Sequence, residues 1–212
     1  MTNLFDVTGK VALITGSTHG LGMAMAKGLG NAGATIVVNG NSSQQKIDEA
    51  VKELKNEGIN AFGYRFNVTD EKEVIEAVKK IESEVGPIAI LINNAGIIKR
   101  IPLLDMEVSD FREVIDIDLV SPFIVSKHVA KGMIERRQGK IINICSMMSE
   151  LGRSTVSAYA AAKGGLKMLT KNMATEWAKY NVQINGIGPG YFATEQTKPI
   201  RVDGHPFNDF II

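Results

Sequence analysis

The 212-residue sequence predicts an α/β fold, a Rossmann-type doubly wound parallel sheet of about six strands. Three observations carry that expectation. Short, near-continuously apolar runs alternate with longer stretches of helical periodicity, as expected when strands buried on both faces are covered by helices. A glycine-rich turn follows the first apolar run and precedes the first helical stretch. No linker, repeat or low-complexity segment breaks the alternation, so residues 1–212 read as one dinucleotide-binding domain.

Residues 11–14, Val-Ala-Leu-Ile, form the first strand, and residues 36–38, 88–92, 141–144 and 182–184 are the same kind of run. Residues 61–66 make a weaker strand that owes its assignment to its place in the alternation. Among the helices, residues 21–31 are small and apolar, which suits close packing on a sheet. Residues 44–56 and 71–84 carry apolar side chains at three- and four-residue spacing with charges between, so they are amphipathic. Residues 111–137 and 156–179 read as two long, uninterrupted helices.

Composition narrows the function. Hydrophobic residues make up 44% and charged residues 22%, with a formal net charge of +1, so nothing points to nucleic acid or an anionic membrane as partner. No apolar stretch is long enough to span a bilayer, and residues 1–6 lack a signal-peptide pattern. A cytoplasmic protein acting on small molecules is expected. Cys145 is the only cysteine, which excludes an internal disulfide and fits a reducing compartment. It ends an apolar strand and has no histidine paired with it, so it reads as structural rather than nucleophilic. His19, His128 and His205 have no metal-ligand spacing, and no metal is expected.

The turn runs Thr15-Gly16-Ser17-Thr18-His19-Gly20-Leu21-Gly22. Its glycines permit a tight turn and close approach of a pyrophosphate, and the following helix start offers N–H groups and the positive end of a dipole. Gly16, Ser17, His19, Gly20, Leu21 and Gly22 are therefore expected to bind a dinucleotide. The second strand ends Val38-Asn39-Gly40-Asn41-Ser42 with no acidic residue to accept from a ribose diol. NADP is favoured over NAD, with Asn41, Ser42, Ser17 and His19 as donors to the 2′-phosphate, although no arginine stands in that stretch.

Tyr159 and Lys163 are four residues apart on one helix face. An ammonium beside a phenol favours the phenolate, which can take the proton of an alcohol as hydride leaves its carbon. Ser146 ends the fifth strand, at the sheet edge where ligands bind, and can hydrogen-bond the reacting oxygen. Taken singly, each has an ordinary reading: a half-buried aromatic, a solvated helix charge, a strand-end cap. The order and context of the three together favour a site.

The spacing of the turn, Asn93-Asn94-Ala95-Gly96 after the fourth strand, Ser146 with Tyr159-x-x-x-Lys163, and Pro189-Gly190 with Thr194 together resemble the short-chain dehydrogenase/reductase family over essentially the whole chain. The resemblance implies that Asn94, Ala95, Gly96, Tyr159, Lys163, Pro189, Gly190 and Thr194 also contact the dinucleotide, and that Asn67 and Val68 flank the adenine. It places Asp118 where the family has an asparagine of a proton relay, a departure that leaves the relay role open. The segments 144–153, 94–100 and 186–191 resemble the gluconate 5-dehydrogenase branch. That implies interconversion of D-gluconate and 5-keto-D-gluconate, with another sugar-acid or 3-ketoacyl reductase as the alternative. Arg100, Ser146, Met147, Glu150 and Tyr159 are the expected substrate contacts, with Arg100 and its neighbour Lys99 on the sugar-acid carboxylate, or else both as solvated loop cations. The family's members continue with a further helix and strand and form homotetramers. Against that pattern the sequence reads as lacking the last helix and strand, which raises the alternative of a nucleotide-binding remnant without independent catalysis.

Overall fold

The computed structural model describes residues 4–202, apart from residue 196. His205 lies outside the described residues. Six parallel strands form one sheet: β1 (Val11–Ile14), β2 (Thr35–Gly40), β3 (Ala61–Arg65), β4 (Ile88–Asn93), β5 (Gly139–Ile144) and β6 (Val182–Ile187). Their order is β3-β2-β1-β4-β5-β6. The expected doubly wound sheet is therefore present, and its order reverses between β1 and β4. Among the described residues there are six α-helices: α1 (Gly20–Asn31), α2 (Gln44–Asn56), α3 (Glu71–Glu84), α5 (Ser121–Glu135) and α6 (Ser157–Trp177) pack on the sheet, and α4 (Val108–Ile115) packs on α6.

Alternation along the strands explains the two layers. Leu13, Val37, Leu91 and Ile141 point to one face, where they pack with Val74 and Ile81 of α3 and Val125, Val129 and Met133 of α5. Ala12, Ile14, Ile36, Val38, Ile90 and Ile92 point to the other, with Met23 and Ala26 of α1 and Ile47 and Leu54 of α2. Burial on both faces is why these strands read as continuous apolar runs. Helix starts are fixed locally: the Asp70 carboxylate accepts from the Lys72 and Glu73 N–H groups at 2.9 and 3.1 Å and caps α3.

One expectation fails. The stretch 111–137 is not a single helix, because α4 and α5 are separated by a π turn, Asp116–Val120. The Ser121 N–H reaches back five residues to the Asp116 carbonyl. Pro122, at the start of α5, has no N–H to give the carbonyl four residues earlier, at Asp118. The backbone widens there, and the turn aims Asp118 into the interior, where it is fully buried. Among the described residues no helix is long and apolar enough to cross a membrane.

Candidate active site

In a parallel sheet of this order the loops after the strands' carboxyl ends form the ligand edge. The turn after β1 and the segment after β4 interlock there. Gly16 and Gly20 hold φ of +62° and +58°, the left-handed region that favours glycine. A Cβ on Gly16 would stand 2.9 Å from the Ala95 Cα, and one on Gly22 would stand 2.5 Å from the Gly16 carbonyl oxygen. Asn94 Nδ2 donates to the Thr15 and Gly16 carbonyls, each at 2.9 Å. The Thr15 hydroxyl accepts from the Asn94 and Ala95 N–H groups, each at 3.0 Å. Asn94 and Ala95 thus brace the turn. Leu21 lies in the first turn of α1, which His19 enters in extended conformation without capping it by a side-chain bond. Thr194 lies beside the same turn, with its methyl 3.9 Å from where a Gly20 Cβ would be.

Ser17 requires a correction. It is fully buried, its hydroxyl donates to the Ile14 carbonyl at 2.7 Å and accepts from the Asn39 N–H at 3.1 Å, so it holds β1 to β2 and has no proton left for a phosphate. Val68 is likewise buried in the core and can offer only its backbone. Asn67 folds its side-chain oxygen onto the Thr69 N–H at 3.1 Å, a turn-forming bond. Asn41 and Ser42 are exposed beyond β2.

Two residues at this end escaped the sequence reading. Asn39 is buried; its Oδ1 accepts from the Gly16 N–H at 3.2 Å and its Nδ2 donates to the Phe66 carbonyl at 3.1 Å, tying the turn to β3. Arg65 pairs with Gly40 in the β2–β3 register, and its Nε donates to the Asn41 carbonyl at 3.0 Å. The neighbouring strand thus places an arginine at the end of β2. Register was the only signal for it, and register is not visible in a single strand.

At the other end, Ser146 caps a short 3₁₀ turn, Met147–Ser149, and its hydroxyl accepts from the Met148 N–H at 3.1 Å. Tyr159, Ser146, Met147, Pro189 and Gly190 line one pocket together with Arg100, Arg153 and Tyr191. Lys163 is buried; its Nζ donates to the Ile144 carbonyl at 2.8 Å and stands 3.2 Å from Asp118 Oδ2 and 5.6 Å from the centre of the Tyr159 ring. Asp118 Oδ1 accepts from the Ile97 N–H at 2.8 Å. Gly96 makes room for that carboxylate, since a Cβ there would stand 2.7 Å from Oδ2. Burial pushes the Asp118 carboxyl above the usual range, while Lys163 and the Ile97 N–H pull it down. Cys145 is buried, and burial pushes its thiol up, which suits a structural residue.

The expected substrate contacts divide. Arg100 and Met147 line the pocket. Glu150 does not; it is exposed and ion-paired with Lys167 of α6. Lys99 is drawn to Asp110 and Glu113 of α4, away from a substrate role. Arg153 was missed. Its guanidinium donates to the Tyr191 hydroxyl and stands close enough to Arg100 that burial, and after it the Arg153 charge, lower the Arg100 pKa. His128 is largely covered and contacts the Glu71 carboxylate at 2.8 Å.

The donor set fits a nicotinamide dinucleotide: a glycine turn at a helix start, Arg65, Asn41 and Ser42 at one end, and Tyr159, Lys163 and the Pro189-Gly190 segment at the other. The sequence matches the short chain dehydrogenase family over residues 10–204. It is 80% identical over 210 residues to the 2-dehydro-3-deoxy-D-gluconate 5-dehydrogenase of Formosa agariphila, covering 99% of this chain and 80% of that protein. It is 47% identical over 203 residues to the 5-keto-D-gluconate 5-reductase of Escherichia coli, covering 96% and 80%. The crystal structure of a gluconate 5-dehydrogenase from Burkholderia cenocepacia, in complex with NADP and tartrate, superposes with a TM-score of 0.91 at 44% identity, covering 94% of this chain and 78% of that one. The chain is an oxidoreductase and belongs to the short-chain dehydrogenase family.

Proposed function

We propose that the protein interconverts a hydroxyl and a ketone at C5 of a sugar acid with NADP(H), and that 2-dehydro-3-deoxy-D-gluconate is its substrate. The observation that carries the acid specificity is the convergence of Arg100 and Arg153 on the pocket that holds Ser146 and Tyr159. Two guanidinium groups in one part-buried pocket repel each other, and a carboxylate bound between them offsets that repulsion. The 80% identity to a 2-dehydro-3-deoxy-D-gluconate 5-dehydrogenase sets the order of substrates to be tested. D-gluconate with 5-keto-D-gluconate is the second reading, favoured by the relative at 47% identity and by the gluconate 5-dehydrogenase structure.

In this reading the arginines hold the carboxylate and set the substrate's register. Ser146 hydrogen-bonds the C5 oxygen, and the Tyr159 phenolate takes its proton as the carbonyl forms; in reduction the phenol returns it. The bound dinucleotide supplies the hydride acceptor for oxidation and the hydride donor for reduction. Lys163 supplies positive charge beside Tyr159 and reaches the ribose of the nicotinamide end. His19, Gly20 and the first turn of α1 hold the pyrophosphate, and Arg65 with Asn41 and Ser42 holds the 2′-phosphate. Residues 1–212 act as one dinucleotide-binding unit, in the cytoplasm.

Initial rates of dinucleotide reduction, measured with both sugar acids and with NADP and NAD, test the proposal. It predicts turnover with 2-dehydro-3-deoxy-D-gluconate at higher kcat/KM than with D-gluconate, and with NADP above NAD. Absence of turnover with either acid, while NADP binds, would favour a nucleotide-binding role without catalysis.

A further inference from the structure

The buried partner of Lys163 carries an inference of its own. Asp118 is fully buried at the π turn, wedged between the Gly96 α-carbon and the Lys163 ammonium. Its Oδ1 accepts from the Ile97 N–H at 2.8 Å, and its Oδ2 is ion-paired with Lys163 Nζ at 3.2 Å. Among the described residues no acceptor is placed for a proton on Oδ2. A neutral carboxyl there would turn its hydroxyl towards an ammonium. A buried ammonium is itself costly without a counter-ion, and Lys163 is nearly as buried as Asp118. A donor on Oδ1 and a cation 3.2 Å from Oδ2 favour the ionised form.

We propose that Asp118 is the counter-ion of Lys163: its buried carboxylate holds the ammonium in place and cancels part of its charge, and so sets the pH at which Tyr159 can act as a base. Lys163 Nζ is close to both groups, at 3.2 Å from Asp118 Oδ2 and 5.6 Å from the centre of the Tyr159 ring. An anion paired with the ammonium reduces what that ammonium gives a phenolate. The other charged and titratable groups around the turn do not replace it. Asp116, on the same turn, is exposed. Lys99 is paired with Asp110 and Glu113. Burial pushes up the Cys145 thiol, beyond the Ile144 carbonyl that Lys163 also engages. Asp118 acts through Lys163 and is a positioning residue rather than a catalytic one.

The inference rests on Tyr159 being the proton acceptor, and its test separates the two claims. Asp118→Asn keeps the shape and removes the charge. Near-ultraviolet phenolate absorbance is titrated in the unaltered chain and in Asp118→Asn, with Tyr159→Phe in each background identifying the Tyr159 component. That component, and the acid limb of kcat/KM for alcohol oxidation, should both move to lower pH by about one unit. An unmoved component would show that Asp118 is neutral or electrically remote. A move to higher pH would show that it only positions Lys163. Either result overturns the proposal. Infrared spectra of the unaltered chain give a second test that does not depend on how the variant folds. A protonated, solvent-shielded carboxyl band at neutral pH that Asp118 isotope editing assigns would also overturn it, and its absence is expected. Retained turnover in Tyr159→Phe would instead sink the reading of the site and leave the ion pair standing.

Discussion

The two ends of the cleft are built in different ways. The nucleotide end is made of backbone and absent side chains: Gly16 and Gly22 let the turn seat on Ala95 and Asn94, and the polar side chains of Thr15, Ser17, Asn39 and Asn94 bond the protein to itself. The substrate end is made of side chains brought together from three loops: Arg100 after β4, Ser146, Met147 and Arg153 after β5, and Tyr191 after β6, closed by Tyr159 of α6. The difference teaches where each end is vulnerable. The first fails when something is added, the second when something is removed.

The largest expected effect is at the substrate end. Tyr159→Phe removes one hydroxyl and leaves the ring, so kcat should fall by roughly 10³-fold, within the range for loss of a general acid–base group. Dinucleotide affinity, read by fluorescence titration, should stay within a factor of two or so, because the turn after β1 is untouched. A comparable loss of affinity would blur the division between the ends.

Addition should hurt the nucleotide end. Gly22→Ala places a Cβ 2.5 Å from the Gly16 carbonyl oxygen and 2.7 Å from Asn94 Nδ2. Backbone and an anchored amide must give way, at a cost of about 1–3 kcal/mol in stability. Thermal melting should show it, together with weaker NADP binding. Gly164→Ala is the matched control, because nothing lies within 4 Å of its added Cβ and it sits inside α6. Equal melting temperatures for the two variants would contradict the close packing of the turn.

A smaller effect is expected from Arg65→Ala. Its guanidinium is exposed, and a surface charge-assisted bond is worth about 1 kcal/mol, so NADP affinity should drop about three- to tenfold with NAD affinity unchanged. Asn41→Asp should lower NADP affinity in the same direction by repelling the 2′-phosphate. It is a cleaner probe than Gly40→Asp, because a Cβ at Gly40 would stand 3.0 Å from the Thr18 methyl and 3.3 Å from Ile47. If Arg65→Ala weakened NAD and NADP alike, the arginine would be holding the β2–β3 edge rather than a phosphate.

The same division explains what the sequence disclosed. Strands buried on both faces print themselves as apolar runs, and the glycines and the Tyr159/Lys163 pair lie in short local spacings, so the sheet, the turn and the closeness of that pair were legible. The break at residues 116–120 was not read, although Pro122 announced it, because a proline near a helix start is usually tolerated and here the helix had already begun. Ser17 was read as a phosphate donor because its neighbours are; only the bond to the Ile14 carbonyl shows that its hydroxyl is spent. Glu150 and Lys99 lay beside true pocket residues in sequence, and helix-borne partners turn both away. Arg65 was missed because it reaches its site from a different strand than the turn that marks it, and Arg153, on the same segment after β5 as Ser146, because only its convergence with Arg100 shows its place. Convergence of that kind depends on register and loop path, which local patterns do not encode.

In the proposed function the substrate end recognises a carboxylate by two converging arginines, independently of the nucleotide end. The most direct measurement is kcat/KM of the Arg100→Ala/Arg153→Ala double variant for 2-dehydro-3-deoxy-D-gluconate and for an uncharged polyol, at saturating NADP. The account predicts a loss of roughly 2–4 kcal/mol in transition-state stabilisation for the acid, carried mainly by KM, and a much smaller loss for the polyol. Equal losses for the two substrates would contradict it.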